Sequence, residues 1–310
     1  MTIFGSDVSH YDAADTRKMF ADGIVFQTHK AGGDANDPEL ASWWAYARNY
    51  RDHVMLGAYW VVRPDRTTMI AAADAFIARL DSQCPTWRDM PFILQVDCER
   101  WNNDPATVPT VGQVNAFCDR LVARVPRLRP IAYMPDWVYG DIGALKYPLW
   151  SSKYVTGSGG YRSLYPGDSS SKWAGYGGKT PAILQYSSKA TIGGQTTCDA
   201  NAYRGTLAGL TSLLAPGFTA KENDMANADD ILAFLQYDRK VLSSIQVALN
   251  NIGAAVKADP VDEQKVASLV LAGLGQAQLT DALAGALKAL PKEVANQVLA
   301  DLGQRLQSDN

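Results

Sequence analysis

The chain has 310 residues, enough for one large domain and a smaller one, and its 47% hydrophobic and 20% charged residues are typical of soluble globular proteins. A formal net charge of −3 argues against broad non-specific binding to nucleic acid or acidic lipid, so no nucleic acid partner is expected. No stretch supplies the roughly 20 apolar residues of a membrane span. The first residues also lack the basic and apolar regions of a signal peptide, which predicts synthesis in the cytoplasm.

Short apolar runs alternate with amphipathic segments from the N-terminus onward. The predicted strands are residues 3–11, 23–30, 54–62, 93–101, 130–134, 149–155 and 182–187. The predicted helices are residues 13–20, 40–49, 67–80 and 111–125. This alternation indicates an α/β fold with a mostly parallel sheet buried on both faces. Because the helices become sparse late in this region, an irregular, TIM-like β/α barrel is expected rather than an evenly alternating one.

The predicted strand at residues 93–101 leads from an apolar run into two carboxylates, Asp97 and Glu99. Side chains alternate along a strand, so both acids point one way and Cys98 points the other. Two acids on one face are costly to bury, because each negative charge disfavours the other. The pair therefore indicates a polar site at the carboxyl end of the strand. The alternative is a strand that runs into solvent with two surface acids at its tip.

Four acids lie at or beside predicted strand ends: Asp7, Asp97, Glu99 and Asp199. In β/α barrels the catalytic groups come from the carboxyl ends of several strands. Two carboxyl groups with separated pKa values suffice for glycoside hydrolysis, one protonated and one ionised. Aromatic side chains near them could stack on sugar rings or serve as core. They are Tyr11, Tyr59, Trp60, Trp101, Tyr133, Trp150 and Tyr186.

Other chemistries fit the sequence less well. Cys98 is a poor nucleophile candidate, because its side chain should face away from the acids. A divalent metal on Asp7, Asp97 and Glu99 is chemically feasible, but nothing in their spacing requires one, so neither a metal nor a cofactor is predicted. The four cysteines form no CxxC pair. Free buried thiols are expected, with a Cys98–Cys118 disulfide as the alternative.

The composition changes after Leu214. All 8 Trp and 13 of the 14 Tyr precede Pro216, whereas Ala, Leu, Gln and Asp dominate afterwards. This predicts a domain at residues 1–215, a linker at 216–228 and an all-α region at 229–310. Apolar residues spaced alternately by 4 and 3 from Ile231 to Val256, with only Asp238 polar, indicate a coiled coil. Self-association into a homo-oligomer is favoured, and the alternatives are a helical hairpin packed on the first domain or a module that targets the cell wall.

Seven short motifs follow one another in a recognisable order over residues 1–214. They include Asp7-Val8-Ser9 and Asp97-Cys98-Glu99, and they occupy residues 5–11, 23–31, 57–60, 96–99, 149–154, 184–187 and 198–201. In this order the motifs resemble glycoside hydrolase family 25, the Chalaropsis-type lysozymes or N-acetylmuramidases, which include bacteriophage endolysins. The sequence departs from the family pattern at two places, and both concern how the substrate is bound. Trp60 stands where many relatives carry His, and Gly32-Gly33-Asp34 replaces the usual ending of the second strand, an acidic residue followed by Gly.

The resemblance implies cleavage of the β-1,4 bond between N-acetylmuramic acid and N-acetylglucosamine in bacterial peptidoglycan, on an irregular β/α barrel. Glu99 would be the general acid. Asp97 would assist it, either by orienting the N-acetyl group or by stabilising positive charge. Asp7 and Asp199 would line the floor and hold hydroxyls or a water. The residues implied for substrate binding are Tyr59, Tyr133, Trp150, Gln185, Tyr11 and Trp101.

The resemblance leaves open whether cleavage retains or inverts the anomeric configuration. The missing signal peptide together with a wall-degrading domain fits an endolysin that acts on the cell wall after release through a holin-type membrane lesion. Export by an unconventional secretion route fits equally. The alternative function is a non-catalytic carbohydrate-binding barrel of the same fold. Paired carboxylates speak against this alternative, since a binding module has no need to bury them.

Overall fold

A computed structural model describes residues 1–12 and 15–218. The strands in these residues are β1 Ile3–Val8, β2 Phe26–Gly32, β3 Met55–Val61, β4 Phe92–Asp97, β5 Ile131–Tyr133, β6 Leu149–Ser152, β7 Gly159–Gly160, β8 Ile183–Ile192 and β9 Gln195–Tyr203. The α-helices are α1 Thr16–Ala21, α2 Leu40–Ala47, α3 Met69–Gln83, α4 Val111–Arg124, α5 Tyr161–Leu164 and α6 Leu207–Leu214.

Eight of the strands form a closed barrel. Strands β1 to β6 pair in sequence order, all parallel, and β6 then pairs with β8 in parallel. Strand β9 is antiparallel to both β8 and β1 and closes the ring, while the short β7 adds to β8 outside it. The predicted irregular barrel is thus confirmed. Closure removes every exposed edge from the eight-stranded ring.

The hairpin of β8 and β9 is the main departure from the prediction. The last strand predicted from the sequence covers residues 182–187, and no strand is predicted after it. In the structure β8 extends to Ile192, and Ile192 pairs with Gln195 across a two-residue turn. Gly193 and Gly194 have φ values of 57° and 79°, the left-handed conformation that a tight hairpin turn needs and glycine adopts without strain. The turn thus returns the chain antiparallel.

The barrel wall is buried on both faces. On β4, Phe92, Leu94 and Val96 face the outer helices and are fully buried in the main core. Toward the interior, Gly5 leaves space for the ring of Phe26, which a Cβ would approach to 2.2 Å. Helices α3 and α4 pack together outside the strands. The apolar packing on both faces leaves the carboxyl ends of the strands as a place where charged groups can gather.

Helix termini support this arrangement locally. The side chain of Thr110 accepts a hydrogen bond from the backbone N–H of Gln113, whose own side chain accepts one from the Thr110 backbone N–H at 2.8 Å. Such a capping box contributes about 1 kcal/mol to helix stability. Thr68 caps α3 in the same way, through the Ala71 N–H. Both helices therefore begin where the sequence provides a threonine.

The predicted helical region at residues 229–310, its coiled coil and its self-association lie outside the described residues and stay predictions, as does most of the linker at 216–228. Within residues 1–12 and 15–218, none of the helices is long and apolar enough to cross a bilayer.

Candidate active site

A cleft of about 210 Å³ opens at the carboxyl end of the parallel strands. Its lining includes all four predicted acids and five of the six predicted substrate-binding residues. The lining residues are Asp7, Tyr11, Lys30, Tyr59, Val61, Gln95, Asp97, Glu99, Trp101, Tyr133, Tyr154, Gln185 and Asp199. Strand register explains part of this convergence, since Asp97 on β4 lies beside Tyr133 on β5. The barrel therefore gathers residues that are up to 192 positions apart in sequence.

The two acids of β4 point into the cleft, as side-chain alternation predicts. Asp97 ends the strand, and Glu99 lies two residues beyond it on the same side. Cys98 between them is fully buried in the core. Asp97 is itself buried, so the alternative of two solvent-exposed acids at a strand tip does not hold.

Burial governs the electrostatics of the pair. The two carboxyl groups are within hydrogen-bonding reach of each other, and desolvation raises the pKa of Glu99 to about 7. Burial, followed by repulsion from Glu99 and Asp7, holds the pKa of Asp97 well above its usual range. Because like charges this close disfavour joint ionisation, the pair retains a proton near neutrality. Asp97 Oδ1 is buried and has no hydrogen-bond partner among the described residues.

Lys30 is a cleft residue that the sequence analysis did not select. It lies on β2, and its Nζ is 2.8 Å from Asp34 Oδ1. The ammonium also lies 5.3 Å from the ring centre of Tyr11 and 6.0 Å from that of Trp101. Its positive charge acts to lower the pKa of Asp97, against the larger effect of burial. Side chains two residues apart on a strand point the same way, and Thr28 contacts Gln95 in the barrel interior. This alternation could have indicated that Lys30 also points into the barrel.

A network of amides holds Asp7. Gln185 Nε2 donates to both carboxylate oxygens at 3.1 Å, and Asn201 Nδ2 donates to Oδ1 at 2.6 Å. The carbonyl oxygen of Gln185 in turn accepts hydrogen bonds from Tyr133 at 2.8 Å and Tyr154 at 2.7 Å. Burial nevertheless raises the pKa of Asp7 to about 6, although these donors favour the carboxylate. The network fixes the position of Asp7 in the floor of the cleft.

Trp150 is the predicted substrate-binding residue that the structure does not bring into the cleft. Its side chain is fully buried, 6.1 Å from Phe26 and 6.4 Å from Tyr133 between ring centres. Its Nε1 donates to Asn201 Oδ1 at 3.0 Å. A buried indole cannot stack on a sugar, so Trp150 acts on the site through its contacts with Asn201 and Tyr133. Tyr154 and Asn201 themselves were missed as site residues, because their roles depend on this network.

The remaining predicted residues complete the cleft. Burial, with Asp7 as the first of the nearby negative charges, raises the pKa of Asp199 well above its usual range. The pKa of Tyr59 is raised by burial and by Asp7, so its hydroxyl stays protonated. Trp101 Nε1 is buried without a hydrogen-bond partner in the part of the chain that the structure describes. Over that same part, no cluster of three or more His, Cys, Asp or Glu residues has a geometry suited to a metal ion.

The state of the cysteines bears on whether a thiol could take part in the chemistry of the cleft. All four cysteines are buried and free, which confirms the expectation of free thiols rather than a disulfide. Burial raises the pKa of the Cys98 thiol well above its usual range, so little thiolate forms.

We expect Cys98→Ala to lower the free energy of unfolding by about 1 kcal/mol, through loss of core packing, and to retain most activity. Loss of activity in a folded Cys98→Ala protein, judged by circular dichroism, would instead indicate a thiol mechanism.

Known protein structures share the fold of this chain. No family model and no curated protein sequence matches the chain, but solved structures do. A bacterial lysozyme from Streptomyces coelicolor is 22% identical, with 70% of this chain and 98% of that chain covered and a TM-score of 0.51. A family 25 lysozyme from Aspergillus fumigatus is also 22% identical, covering 69% of this chain and all of the other (100%) at a TM-score of 0.51.

A muramidase from Trichobolus zukalii gives a similar result, with 19% identity, 70% and 100% coverage and a TM-score of 0.52. Each of these three structures is covered over nearly its whole length, so the likeness concerns a complete domain. At these identities the likeness establishes the fold. The barrel of this chain has the fold of the glycoside hydrolase family 25 lysozymes and muramidases.

Proposed function

We propose that the protein is a peptidoglycan hydrolase that cleaves the β-1,4 bond between N-acetylmuramic acid and N-acetylglucosamine. The observation that carries this proposal is the set of four cleft carboxyl groups, all with raised pKa values, at the carboxyl end of a lysozyme-type barrel. A binding module gains nothing from such repulsion, whereas glycoside hydrolysis needs one protonated and one ionised carboxyl group at neutral pH.

Glu99 is the proposed general acid. With a pKa of about 7, it keeps its proton in about half of the molecules at neutral pH and can release it to the oxygen of the scissile bond. It is also less buried than Asp97, and so more accessible to a bound glycan. Protonation of the glycosidic oxygen lets that oxygen leave with the bonding electron pair, while positive charge develops at the anomeric carbon.

Asp97 is the proposed ionised partner. The two carboxyl groups share a proton at neutral pH, because burial and repulsion from Glu99 raise the pKa of Asp97 as well. The positive charge of Lys30 opposes these effects and favours the arrangement in which Asp97 is ionised and Glu99 is protonated. Asp97 Oδ1 is a buried acceptor without a partner among the described residues. An unpaired buried acceptor costs about 1–3 kcal/mol, which a substrate N–H would offset. The acetamido N–H of the sugar fits this requirement. We assign Asp97 to orient that group so that its carbonyl oxygen attacks the anomeric carbon, after which water opens the cyclic intermediate.

The other cleft residues position the glycan and the water. Asp7, held by Gln185 and Asn201, presents a fixed acceptor for a hydroxyl or water, and Asp199 lies in the same cleft. The rings of Tyr11 and Trp101 flank Lys30 and offer apolar faces to sugar rings. Tyr59 and Tyr133 also line the cleft, as does Gln185.

A turbidity assay on isolated bacterial cell walls tests the proposal. We expect the full-length protein to clear the suspension and to release fragments with new N-acetylmuramic acid reducing ends, identified by mass spectrometry. Addition of a chelator should leave the rate unchanged, and loss of activity in chelator would indicate metal-dependent hydrolysis instead. Binding to walls without clearing or new reducing ends would favour the non-catalytic carbohydrate-binding barrel.

The pH dependence of hydrolysis provides a further prediction. Because Glu99 must be protonated to act, kcat/KM should fall as pH rises through its pKa of about 7. The measurement is kcat/KM on a soluble glycan from mildly acidic to mildly alkaline pH, with circular dichroism at each pH to exclude unfolding. An activity that keeps rising above pH 8 in folded protein would contradict the assignment of a carboxylic acid as proton donor.

A further inference from the structure

Trp137 is unusual among the tryptophans of this chain. Its residue surface is 55% exposed, and each of the other seven, all within the described residues, is at most partly exposed. An indole is among the largest apolar side chains, so leaving it in water forgoes a large hydrophobic gain. Single exposed apolar residues are common, so a role for Trp137 depends on what lies beside it.

Trp137 is continuous with the cleft through Tyr154. The two ring centres are 5.4 Å apart and the ring planes meet at 59°, so the rings form an angled corner. Tyr154 is itself 37% exposed, lines the cleft and donates its hydroxyl hydrogen to Gln185. The corner therefore extends the cleft on the side of β5 and β6, across the barrel from Tyr11, which follows β1.

The corner is held rigidly. The backbone N–H groups of Val138 and Tyr139 both donate to the carbonyl oxygen of Pro135, at 3.1 and 3.2 Å, which fixes the turn that carries Trp137. Residues adjacent to the two rings form an ion pair between Asp136 and Lys153, with an N–O distance of 3.0 Å. A rigid aromatic surface with charged groups beside it loses little entropy when a ligand binds.

We propose that Trp137 and Tyr154 form a sugar-binding subsite beyond the catalytic pocket, which takes a further amino-sugar ring of the same glycan strand. The inference extends the proposed function and rests on it. A pyranose ring has one apolar face, which suits the indole, and hydroxyl groups at its edge, which Asp136 and Lys153 can bind. Two rings are too small a surface for a stable protein interface, which typically buries about 800 Å² on each partner.

Glycan length is the variable that tests the subsite. We expect the wild-type protein to have a higher kcat/KM on a soluble octasaccharide of alternating N-acetylglucosamine and N-acetylmuramic acid than on the tetrasaccharide. For Trp137→Ala, the octasaccharide-to-tetrasaccharide ratio of kcat/KM should fall about tenfold, the effect of losing one well-placed aromatic contact. Trp137→Phe keeps an aromatic face and should retain most of the length preference. An unchanged ratio in Trp137→Ala, or equal losses in both variants, would overturn the proposal.

Calorimetric binding of the octasaccharide separates this inference from the proposed function. Affinity should fall about tenfold in Trp137→Ala, whether or not the bound glycan is cleaved. Trp137-dependent binding without cleavage by the wild-type protein would support the subsite and overturn the hydrolase. Binding that is equal in wild type and Trp137→Ala would overturn the subsite alone. Ile70→Ala is the matched control, since Ile70 is an exposed apolar residue (48%) that does not line the cleft.

Discussion

Replacement of Glu99 by glutamine is expected to lower the rate of cell-wall hydrolysis about a thousandfold, within the range known for loss of a general acid. Glutamine has nearly the same shape but carries no proton of carboxylic acidity, so the glycosidic oxygen would leave without protonation. The binding of glycan should change much less, because the cleft keeps its form. Clearing of wall suspensions and release of new reducing ends measure the effect, and near-normal turnover by a folded variant would contradict the assignment of Glu99.

The same substitution should stabilise the fold in a pH-dependent manner. The pKa of Glu99 is about 7 in the folded protein against 4.5 ordinarily, so between these values the folded state holds a proton that the unfolded state releases. Stability is therefore lost as pH rises through this window, by roughly 3 kcal/mol. Glutamine removes that loss. The gain in the free energy of unfolding should be near zero at about pH 4 and largest above pH 7.

Urea denaturation at both pH values measures this gain. Glu39→Gln is the matched control, because it makes the same chemical change on an exposed side chain outside the cleft. It should affect neither activity nor the pH dependence of stability. An inactive Glu99→Gln protein with no pH-dependent gain in stability would show that Glu99 is catalytic but not buried in the manner described.

Asp97→Asn is the second substitution with a large expected effect, a loss of activity of about a hundredfold or more. An asparagine side chain is neutral, so it cannot support the positive charge that develops on the acetamido group as its oxygen attacks. The residual activity should also lose its dependence on that group. On a glycan whose N-acetyl groups have been removed, wild type should be slow, and Asp97→Asn should be hardly slower.

Comparison of the two enzymes on the two glycans forms a double-mutant cycle between residue and substrate. Strongly non-additive losses support orientation of the acetamido group by Asp97. Additive losses would contradict that role and favour direct stabilisation of charge at the anomeric carbon. Asp119→Asn is the control, because it makes the same change at a surface ion pair with Lys146, outside the cleft. Its rates on both glycans should equal those of the wild-type protein.

Much of the site could be predicted because it depends on local periodicity. Alternation along a strand places Asp97 and Glu99 on one side and Cys98 on the other, whatever the rest of the chain does. The barrel class likewise follows from apolar runs that alternate with helices. The hairpin of β8 and β9 could not be predicted this way, because its polar residues and paired glycines have the composition of a loop. That hairpin carries Asp199 and Asn201, so their place beside Asp7 was not predictable from local pattern either.

Residue type alone did not predict which tryptophans are exposed near the cleft, because tertiary packing decides this. Trp150 was predicted to contact a sugar, yet it lies behind the cleft and acts through Asn201, whereas Trp137 was not selected and is exposed at its rim. Local patterns in the sequence were enough to predict the strand that presents Asp97 and Glu99 and the face on which both acids lie. Only closure of the barrel decided that Lys30, Asp7 and Asp199 meet that pair, and that burial raises the pKa values of the acids. Closure joins β1 to β9, and such long-range contacts leave no periodic signal in the chain.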